Sequence, residues 1–246
     1  MVFRSTRPLL ALTLLVVSAA LASADPEIEK RFKVLDITFP RAAKAVLTYN
    51  KPNFESTGVS PVDAAKTWPQ FEIIAETLNA PLGAPAAAPC ANNCTAIDPF
   101  AWWDDFFASC ENCKVDFIPT SLLSCNVGWM TAYLEEIHAR YNRSVWVTEF
   151  ACPSRSSEEQ YAFMKSILDW LERTPWIERY AALGVTSASL PWMSAAGQLF
   201  DSTRRTLTEL GKLYDAFEPR VKPDVISCKG LGGLKTQRER AEELGI

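Results

Sequence analysis

The sequence predicts an α/β fold built around a parallel β-sheet. Short runs of β-branched and aromatic residues are each followed by a longer segment with apolar residues at helical spacing, and this alternation occurs five times. Such an order of strand and helix is typical of parallel sheets with right-handed crossovers. The chain has 246 residues, of which 48% are hydrophobic, and no internal repeat or linker divides it. We therefore expect one α/β domain.

The first residues of the chain are predicted to form a signal peptide. Arg4 and Arg7 precede an apolar run over 9–21, which ends in the small-x-small sequence Ala22-Ser23-Ala24. The run is shorter than the roughly 20 residues of a membrane-spanning helix, so a retained anchor is disfavoured. We expect a signal peptide over 1–24, a folded domain over 25–221 and a charged tail over 222–246. The protein is then secreted, to the extracellular space or the cell wall.

Charge and cysteine content narrow the range of partners. The formal net charge is −4 and becomes more negative once the leader is removed, which argues against nucleic acid and anionic membranes as partners. Seven cysteines fit an oxidising compartment, and the odd number leaves at least one thiol free or bridged between molecules. Asn93 and Asn142 begin glycosylation sequons and are expected at the surface. We expect no cofactor.

The first clear strand is predicted over Ala45–Tyr49, after a weaker candidate over Phe32–Ile37. Pro52 ends the strand, because proline cannot continue a hydrogen-bonded ladder, and it biases Lys51 toward extended geometry. Ser60-Pro61 is typical of an N-cap followed by the first helical turn. A helix is therefore expected to begin there.

The later elements follow the same alternation. A second helix begins at Asp98-Pro99, and its paired aromatic residues are expected to form core against the sheet, with a sugar-binding platform as the alternative. A capping box at 156–159 starts the fourth helix. The other predicted elements are strands at Pro81–Pro85, Val115–Ile118 and Arg179–Val185, and helices at Met130–Tyr141 and Leu207–Phe217.

The strand Val145–Phe150 carries the first candidate catalytic residue. This β-prone run ends at a carboxylate, Glu149. In α/β enzymes the carboxyl ends of parallel strands and their loops form the reactive face. Glu149 is therefore a candidate catalytic acid. The alternative is a glutamate that caps the next helix or pairs with a cation.

A series of motifs in one order resembles a known family. The motifs are Tyr49-Asn50-Lys51-Pro52-Asn53, Ser60-Pro61-Val62-Asp63-Ala64-Ala65, Trp68-Pro69, Gly83-Ala84-Pro85, Asp98-Pro99-Phe100, Lys114-Val115-Asp116-Phe117-Ile118, Trp146-Val147-Thr148-Glu149-Phe150-Ala151-Cys152, Arg179-Tyr180-Ala181 and Leu207-Thr208 with Leu210-Gly211. They resemble glycoside hydrolase family 128, the alkali-sensitive-linkage-protein-like β-1,3-glucanases. The resemblance extends from about Tyr49 to Phe217.

The resemblance implies a (β/α)8 TIM-barrel type fold and a retaining mechanism. Five to six βα units are recognisable, so the barrel is expected to be incomplete at its N-terminal side. In the family, a glutamate after an asparagine serves as acid/base and a second glutamate as nucleophile, and retention needs the two carboxyl groups about 5 Å apart. Glu149 occupies the nucleophile position. Lys51 replaces the acid/base, because Asn50-Lys51-Pro52 stands where the family has Asn-Glu-Pro.

The lysine changes the chemistry that the resemblance implies. An ammonium beside a carboxylate neither donates its proton readily nor returns as a base. We expect an ion pair between Lys51 and Glu149, which would also weaken Glu149 as a nucleophile. The resemblance assigns Asn50, Tyr180 and Trp192 as remaining substrate-binding positions, whereas other sugar-stacking residues of the family are missing here.

The sequence is compatible with three functions. The first is a secreted glycosyl-hydrolase-like pseudoenzyme of the β-1,3-glucanase type that retains β-glucan binding. The second is an active retaining hydrolase that recruits another acid, such as Glu55. The third is an extracellular structural or interaction protein, or a truncated gene product. An unclosed sheet would also need a partner at its open edge, or else an exon is missing.

Cysteine pairing and the single histidine complete the predictions. Cys125 and Cys152 each follow a neighbouring strand at the same end of the sheet, so they are expected to pair, which leaves Cys228 in the tail unpaired. Cys90–Cys94 and Cys110–Cys113 are expected as local disulfides, and for the second pair a disulfide is favoured over zinc in a chain with one histidine. His138 is expected to be solvated rather than catalytic.

Overall fold

The computed structural model describes residues 4–5, 15–16, 45–153, 156–183, 194–201 and 206–217. It is an α/β structure with a parallel sheet, as the sequence predicts. The strands are β1 Arg4–Ser5, β2 Leu15–Val16, β3 Val46–Leu47, β4 Phe117–Leu123, β5 Ser144–Ala151 and β6 Ile177–Ala182. The helices are α1 Pro61–Leu78, α2 Pro99–Ser109, α3 Val127–Tyr141, α4 Ser157–Arg173 and α5 Glu209–Asp215, with a 3₁₀ turn at Ala195–Gly197.

Parallel pairing connects the strands from β3 to β6. Strand β5 lies between β4 and β6 and runs parallel to both. Residues 82–86 continue the sheet between β3 and β4, through parallel bridges from Leu82 to Val46 and from Gly83 to Phe117. The order β3, 82–86, β4, β5, β6 follows the chain, which confirms the predicted βα succession.

Short additional strands pair with β3 and β6, the two outer strands of this order. Strand β1 pairs antiparallel with β6, and β2 pairs parallel with β3. Both short strands lie within the predicted signal peptide, so its cleavage would remove them. The weak strand candidate Phe32–Ile37, the predicted binding residue Trp192 and the tail cysteine Cys228 lie outside the described residues.

Apolar side chains pack on both faces of the sheet. Strand residues alternate between the faces, so Ile118 and Val145 join the large core under the helices, while Phe117 and Trp146 belong to a separate inner cluster with Ala45 and Leu47. The rings of Phe117 and Trp146 stack with centroids 4.0 Å apart. The Arg179 guanidinium lies 4.7 Å from the Trp146 ring centroid, a cation–π contact. Burial lowers the pKa of Arg179.

Helix starts follow from local capping. The side chain of Ser60 accepts the Asp63 N–H at the start of α1, and the predicted capping box of Ser156 and Glu159 is present at α4. The predicted start of α3 at Met130 is wrong, because Asn126 accepts the Trp129 N–H and the helix begins at Val127. The aromatic residues Trp102, Trp103 and Phe106 of α2 are buried, which confirms them as core.

His138 is half-buried and so less solvated than the sequence predicts. Its ring stacks on Trp176 with centroids 4.6 Å apart and an interplanar angle of 3°. Its Nδ1 donates to the Arg143 carbonyl over 2.8 Å. The helical position alone suggested exposure, but the chain returns after α4 and places Trp176 against the imidazole.

The close approach of Gly83 to Phe117 gives a test of the inner cluster. A Cβ at Gly83 would lie 2.6 Å from the Phe117 ring, which the Trp146 stack holds in place. We expect Gly83→Ala to lower the free energy of unfolding by about 1–3 kcal/mol through overpacking. Gly128→Ala is the matched control, because its Cβ would meet no atom closer than 3.5 Å. Urea denaturation measures both, and equal stability of the two variants would contradict the close packing.

Candidate active site

Two predicted site residues meet at the carboxyl edge of the sheet. Lys51 follows β3, and Glu149 lies near the end of β5. The Lys51 Nζ is 2.5 Å from Glu149 Oε2, and the side chains are 24% and 11% exposed. The ion pair expected from the sequence is therefore present, between residues 98 positions apart in the chain.

The loop at Lys51 is tightly held. Lys51 has a φ of 50°, in the left-handed region, which corrects the extended geometry predicted from Pro52. Its N–H donates to the Ala86 carbonyl over 3.0 Å, and its own carbonyl accepts from the Phe54 N–H and the Thr57 hydroxyl. These three hydrogen bonds close a turn, and they outweigh the local preference of a residue before proline.

Asn53 anchors the same loop, and the sequence analysis assigned it no role. It is fully buried, and its amide donates to the carbonyls of Ala88 and Ala96 while accepting the Ala88 N–H. The Lys51 loop is thereby joined to the loop that follows residues 82–86. The position of Asn53 directly after Asn50-Lys51-Pro52 was the one sequence signal for a polar side chain that anchors this loop.

Glu149 lies where the β5 ladder is irregular. The parallel register of β5 with β6 shifts between Val147 and Phe150, and Glu149 is opposite Ser121 of β4. The hydroxyl of the preceding residue, Thr148, donates to the Thr120 carbonyl over 2.9 Å. The irregularity breaks the strict alternation of side chains and directs Glu149 toward Lys51.

The cavity beside the ion pair is small. Its volume is about 40 Å³, far below the roughly 300 Å³ at the lower end of ligand pockets. Among the described residues, Glu149 therefore does not face a preformed pocket of ligand size. The lining residues are Leu47, Thr48, Tyr49, Asn50, Ala86, Pro119, Thr148 and Glu149.

The other predicted site residues are in different environments. Asn50 lines the small cavity with Glu149. Tyr180 is fully buried, its hydroxyl donates to Glu172, and its ring packs against Phe150. A buried ring does not contact a polysaccharide, so its position argues against the substrate-binding role predicted for Tyr180. Glu55 is exposed, and its N–H donates to the Asn93 carbonyl.

A larger cavity of about 310 Å³ lies beside the first turns of α1 and α2. Asp105 is the only carboxylate among its lining residues, so it offers no pair of acids for glycoside hydrolysis. The lining residues are Gly58, Ser60, Pro61, Thr95, Ala96, Ala101, Trp102 and Asp105. The ion-pair site, not this cavity, is therefore the candidate active site.

All three predicted disulfides are present, namely Cys90–Cys94, Cys110–Cys113 and Cys125–Cys152. The last joins the loops after β4 and β5, with Cα atoms 4.3 Å apart. In the described ranges, no group of three or more His, Cys, Asp or Glu residues is placed to hold a metal ion. None of the helices described is long and apolar enough to cross a membrane.

A family profile decides the assignment. The profile described as glycosyl hydrolase catalytic core matches residues 25–214. The chain belongs to the glycosyl hydrolase catalytic core family. A curated relative, Alkali-sensitive linkage protein 1 of Schizosaccharomyces pombe, is 25% identical over 175 residues. That match covers 69% of this chain and 32% of the relative, so the chain spans about a third of the relative's length.

Solved structures of this glycosyl hydrolase group confirm the resemblance to family 128. A subgroup II endo-β-1,3-glucanase from Sorangium cellulosum aligns with a TM-score of 0.72 and 29% identity, over 85% of this chain and 81% of its own. A subgroup I endo-β-1,3-glucanase from Amycolatopsis mediterranei aligns with a TM-score of 0.57 and 26% identity, over 71% and 73%. The latter was solved as a glutamate-to-alanine mutant with laminaritriose and laminaribiose.

The disulfide between the β4 and β5 loops is expected to stabilise the site edge. Removing Cys125–Cys152 by a double change to serine frees a loop of sequence separation 27, whereas Cys110–Cys113 has a separation of 3. Loop-closure entropy predicts that the free energy of unfolding falls by about 3.5 kcal/mol without Cys125–Cys152 and by about 1.6 kcal/mol without Cys110–Cys113. Thermal unfolding of both double variants measures the difference. A larger loss for the Cys110/Cys113 variant would contradict this account.

Proposed function

We propose that this chain is a secreted glycosyl-hydrolase-like protein that binds β-1,3-glucan but does not hydrolyse it. The observation that carries the proposal is the 2.5 Å contact between Lys51 and Glu149, at the positions where the family resemblance places acid/base and nucleophile. A retaining glycosidase needs two carboxyl groups about 5 Å apart. Here one of the two positions carries a cation.

The ion pair opposes each step of the retaining reaction. The Lys51 ammonium has no acceptor lone pair, so it takes no proton from the water that would release a glycosyl-enzyme intermediate. The Glu149 carboxylate is already bound to a cation, which lowers its nucleophilicity toward an anomeric carbon. The cavity that Glu149 lines adds a steric reason, because its volume of about 40 Å³ is far below that of an ordinary ligand pocket.

The proposed ligand and barrel follow from the relatives. The alignment with the Sorangium cellulosum endo-β-1,3-glucanase spans most of both chains and supports a (β/α)8-type architecture for the family region. Mutants of the Amycolatopsis mediterranei enzyme are in complexes with laminaritriose and laminaribiose and with laminarihexaose. A β-1,3-glucan is therefore the polysaccharide that we assign to this chain.

The disulfides and the two glycosylation sequons support secretion. Three disulfides fit an oxidising compartment. Asn93 and Asn142 of the two sequons are exposed, as glycosylation requires. The family match begins at residue 25, directly after the predicted signal peptide. We propose that the mature chain starts there and carries glycans at both asparagines.

Restoring the missing acid tests the proposal. We expect wild type to release no reducing sugar from laminarin, and Lys51→Glu to raise release by about 10²-fold or more over background, the usual contribution of general acid–base catalysis. Lys51→Glu combined with Glu149→Gln should abolish the gain. Lys66→Glu is the matched control, since it makes the same change at an exposed position of α1.

Hydrolysis by wild type would overturn the proposal if Glu149→Gln removed it. In that case the acid must come from elsewhere, and Glu55→Gln would test the recruited residue. Equal release by the Lys51 and Lys66 variants would mean that the gain does not come from this site.

A further inference from the structure

The sequon at Asn93 shares a residue with a disulfide. Its middle residue, Cys94, is bonded to Cys90 at a sequence separation of 4, so Asn93 lies inside the ring that the disulfide closes. An N-glycan is attached to the side-chain amide of an asparagine that is followed two positions later by serine or threonine. One short segment therefore carries both a site for a glycan and a site for thiol oxidation.

The folded loop fixes the backbone on both sides of Cys94. Asn93 has a φ of 58°, in the left-handed region, and its carbonyl accepts the Glu55 N–H over 2.9 Å. The Thr95 N–H donates to the Asn53 carbonyl over 3.0 Å. The enzyme that transfers an N-glycan binds a sequon as a flexible, extended segment, and these contacts remove that freedom. Asn93 is exposed, so a glycan attached before the loop closes is compatible with the fold.

The sequon at Asn142 provides a comparison, because it contains no cysteine. Asn142 is also exposed and left-handed, with a φ of 49°, and its N–H donates to the His138 carbonyl at the end of α3. It lies within the Cys125–Cys152 loop, whose sequence separation of 27 is far too large to fix its backbone. The two asparagines therefore have similar final conformations, but only Asn93 is held in a short covalent ring.

Closure of the ring at Asn93 needs only local contact between two cysteines. A flexible loop of about ten residues closes in roughly 10–100 ns, whereas disulfide formation takes seconds to hours. Synthesis adds about 5–20 residues per second, so the ring can form while later strands are still being made. The conformation at Asn142, in contrast, depends on α3 and on the sheet against which that helix packs.

The two reactions at this segment use different atoms but the same flexible chain. In oxidation, the thiolate of one cysteine attacks a mixed disulfide between the other and an oxidoreductase, which leaves as its reduced dithiol. In glycan transfer, the Asn93 Nδ2 bonds to the anomeric carbon of a lipid-linked oligosaccharide, the lipid pyrophosphate leaves and the amide loses a proton. The first reaction ends the flexibility that the second requires.

We propose that the Cys90–Cys94 disulfide controls glycosylation of Asn93, because its closure ends the period in which this sequon is accepted. The inference rests on the proposed secretion and glycosylation of the chain. While the cysteines are reduced, Asn93 binds the transferring enzyme, and oxidation withdraws it. The redox state of the secretory compartment therefore sets the fraction of molecules with a glycan at Asn93, but not the fraction at Asn142.

Cell-free synthesis of the full chain with microsomal membranes tests this control, with mass spectrometry of the glycosylated fraction at each asparagine. We expect a lower fraction at Asn93 than at Asn142 in wild type. Cys90→Ser should raise the Asn93 fraction to the Asn142 level, because it removes the ring and keeps the sequon, and dithiothreitol added to wild type during synthesis should do the same. Cys110→Ser combined with Cys113→Ser is the matched control, since it removes another short disulfide, of separation 3, and should change neither fraction.

The outcomes separate the inference from the proposal on which it rests. Equal fractions at the two asparagines in wild type would overturn the inference alone, and so would an unchanged Asn93 fraction in the Cys90→Ser variant. An equal rise in the Cys110/Cys113 variant would also overturn it, because slower folding in general would then determine the modification. If neither asparagine carries a glycan in any variant, the proposed glycosylation fails, and the inference fails with it.

Discussion

Parallel hydrogen bonding between β3, residues 82–86, β4 and β5 brings distant parts of the chain to one edge of the sheet. The Lys51 N–H donates to Ala86, and Glu149 is opposite Ser121, so the backbone ladder sets the distance between the two charged side chains. Residues 98 positions apart thus form a 2.5 Å contact. Asn53 and the Cys125–Cys152 disulfide hold the loops on either side of this contact.

The ion pair determines the charge at the carboxyl edge of the sheet. Lys51 and Glu149 compensate each other's charge, and the cavity that Glu149 lines has a volume of only about 40 Å³. The compensated charges support the proposal that this member of the glycosyl hydrolase catalytic core family does not cleave β-1,3-glucan.

Sequence patterns predicted the elements well wherever a local rule acts. The Ser60 N-cap, the Ser156 capping box and the buried aromatic residues of α2 all follow from side chains near in sequence. The three disulfides were also predicted, because each pairs cysteines that are near in sequence or that follow neighbouring strands. The start of α3 was missed because its cap, Asn126, lies outside the apolar period.

The chain alone determines the order of strands and helices, because periodicity is a local property. Motif position is also local, so the sequence shows Lys51 where the related family has its acid and Glu149 where that family has its nucleophile. A parallel sheet predicts that Lys51 and Glu149 lie at the same edge. The geometry of the contact between them, however, depends on packing between elements. The left-handed Lys51, the burial of Tyr180 beneath Phe150 and the stacking of His138 on Trp176 result from packing across the fold. Tertiary contacts outweigh local preferences at such positions, since each is worth more than the weak bias of a single residue.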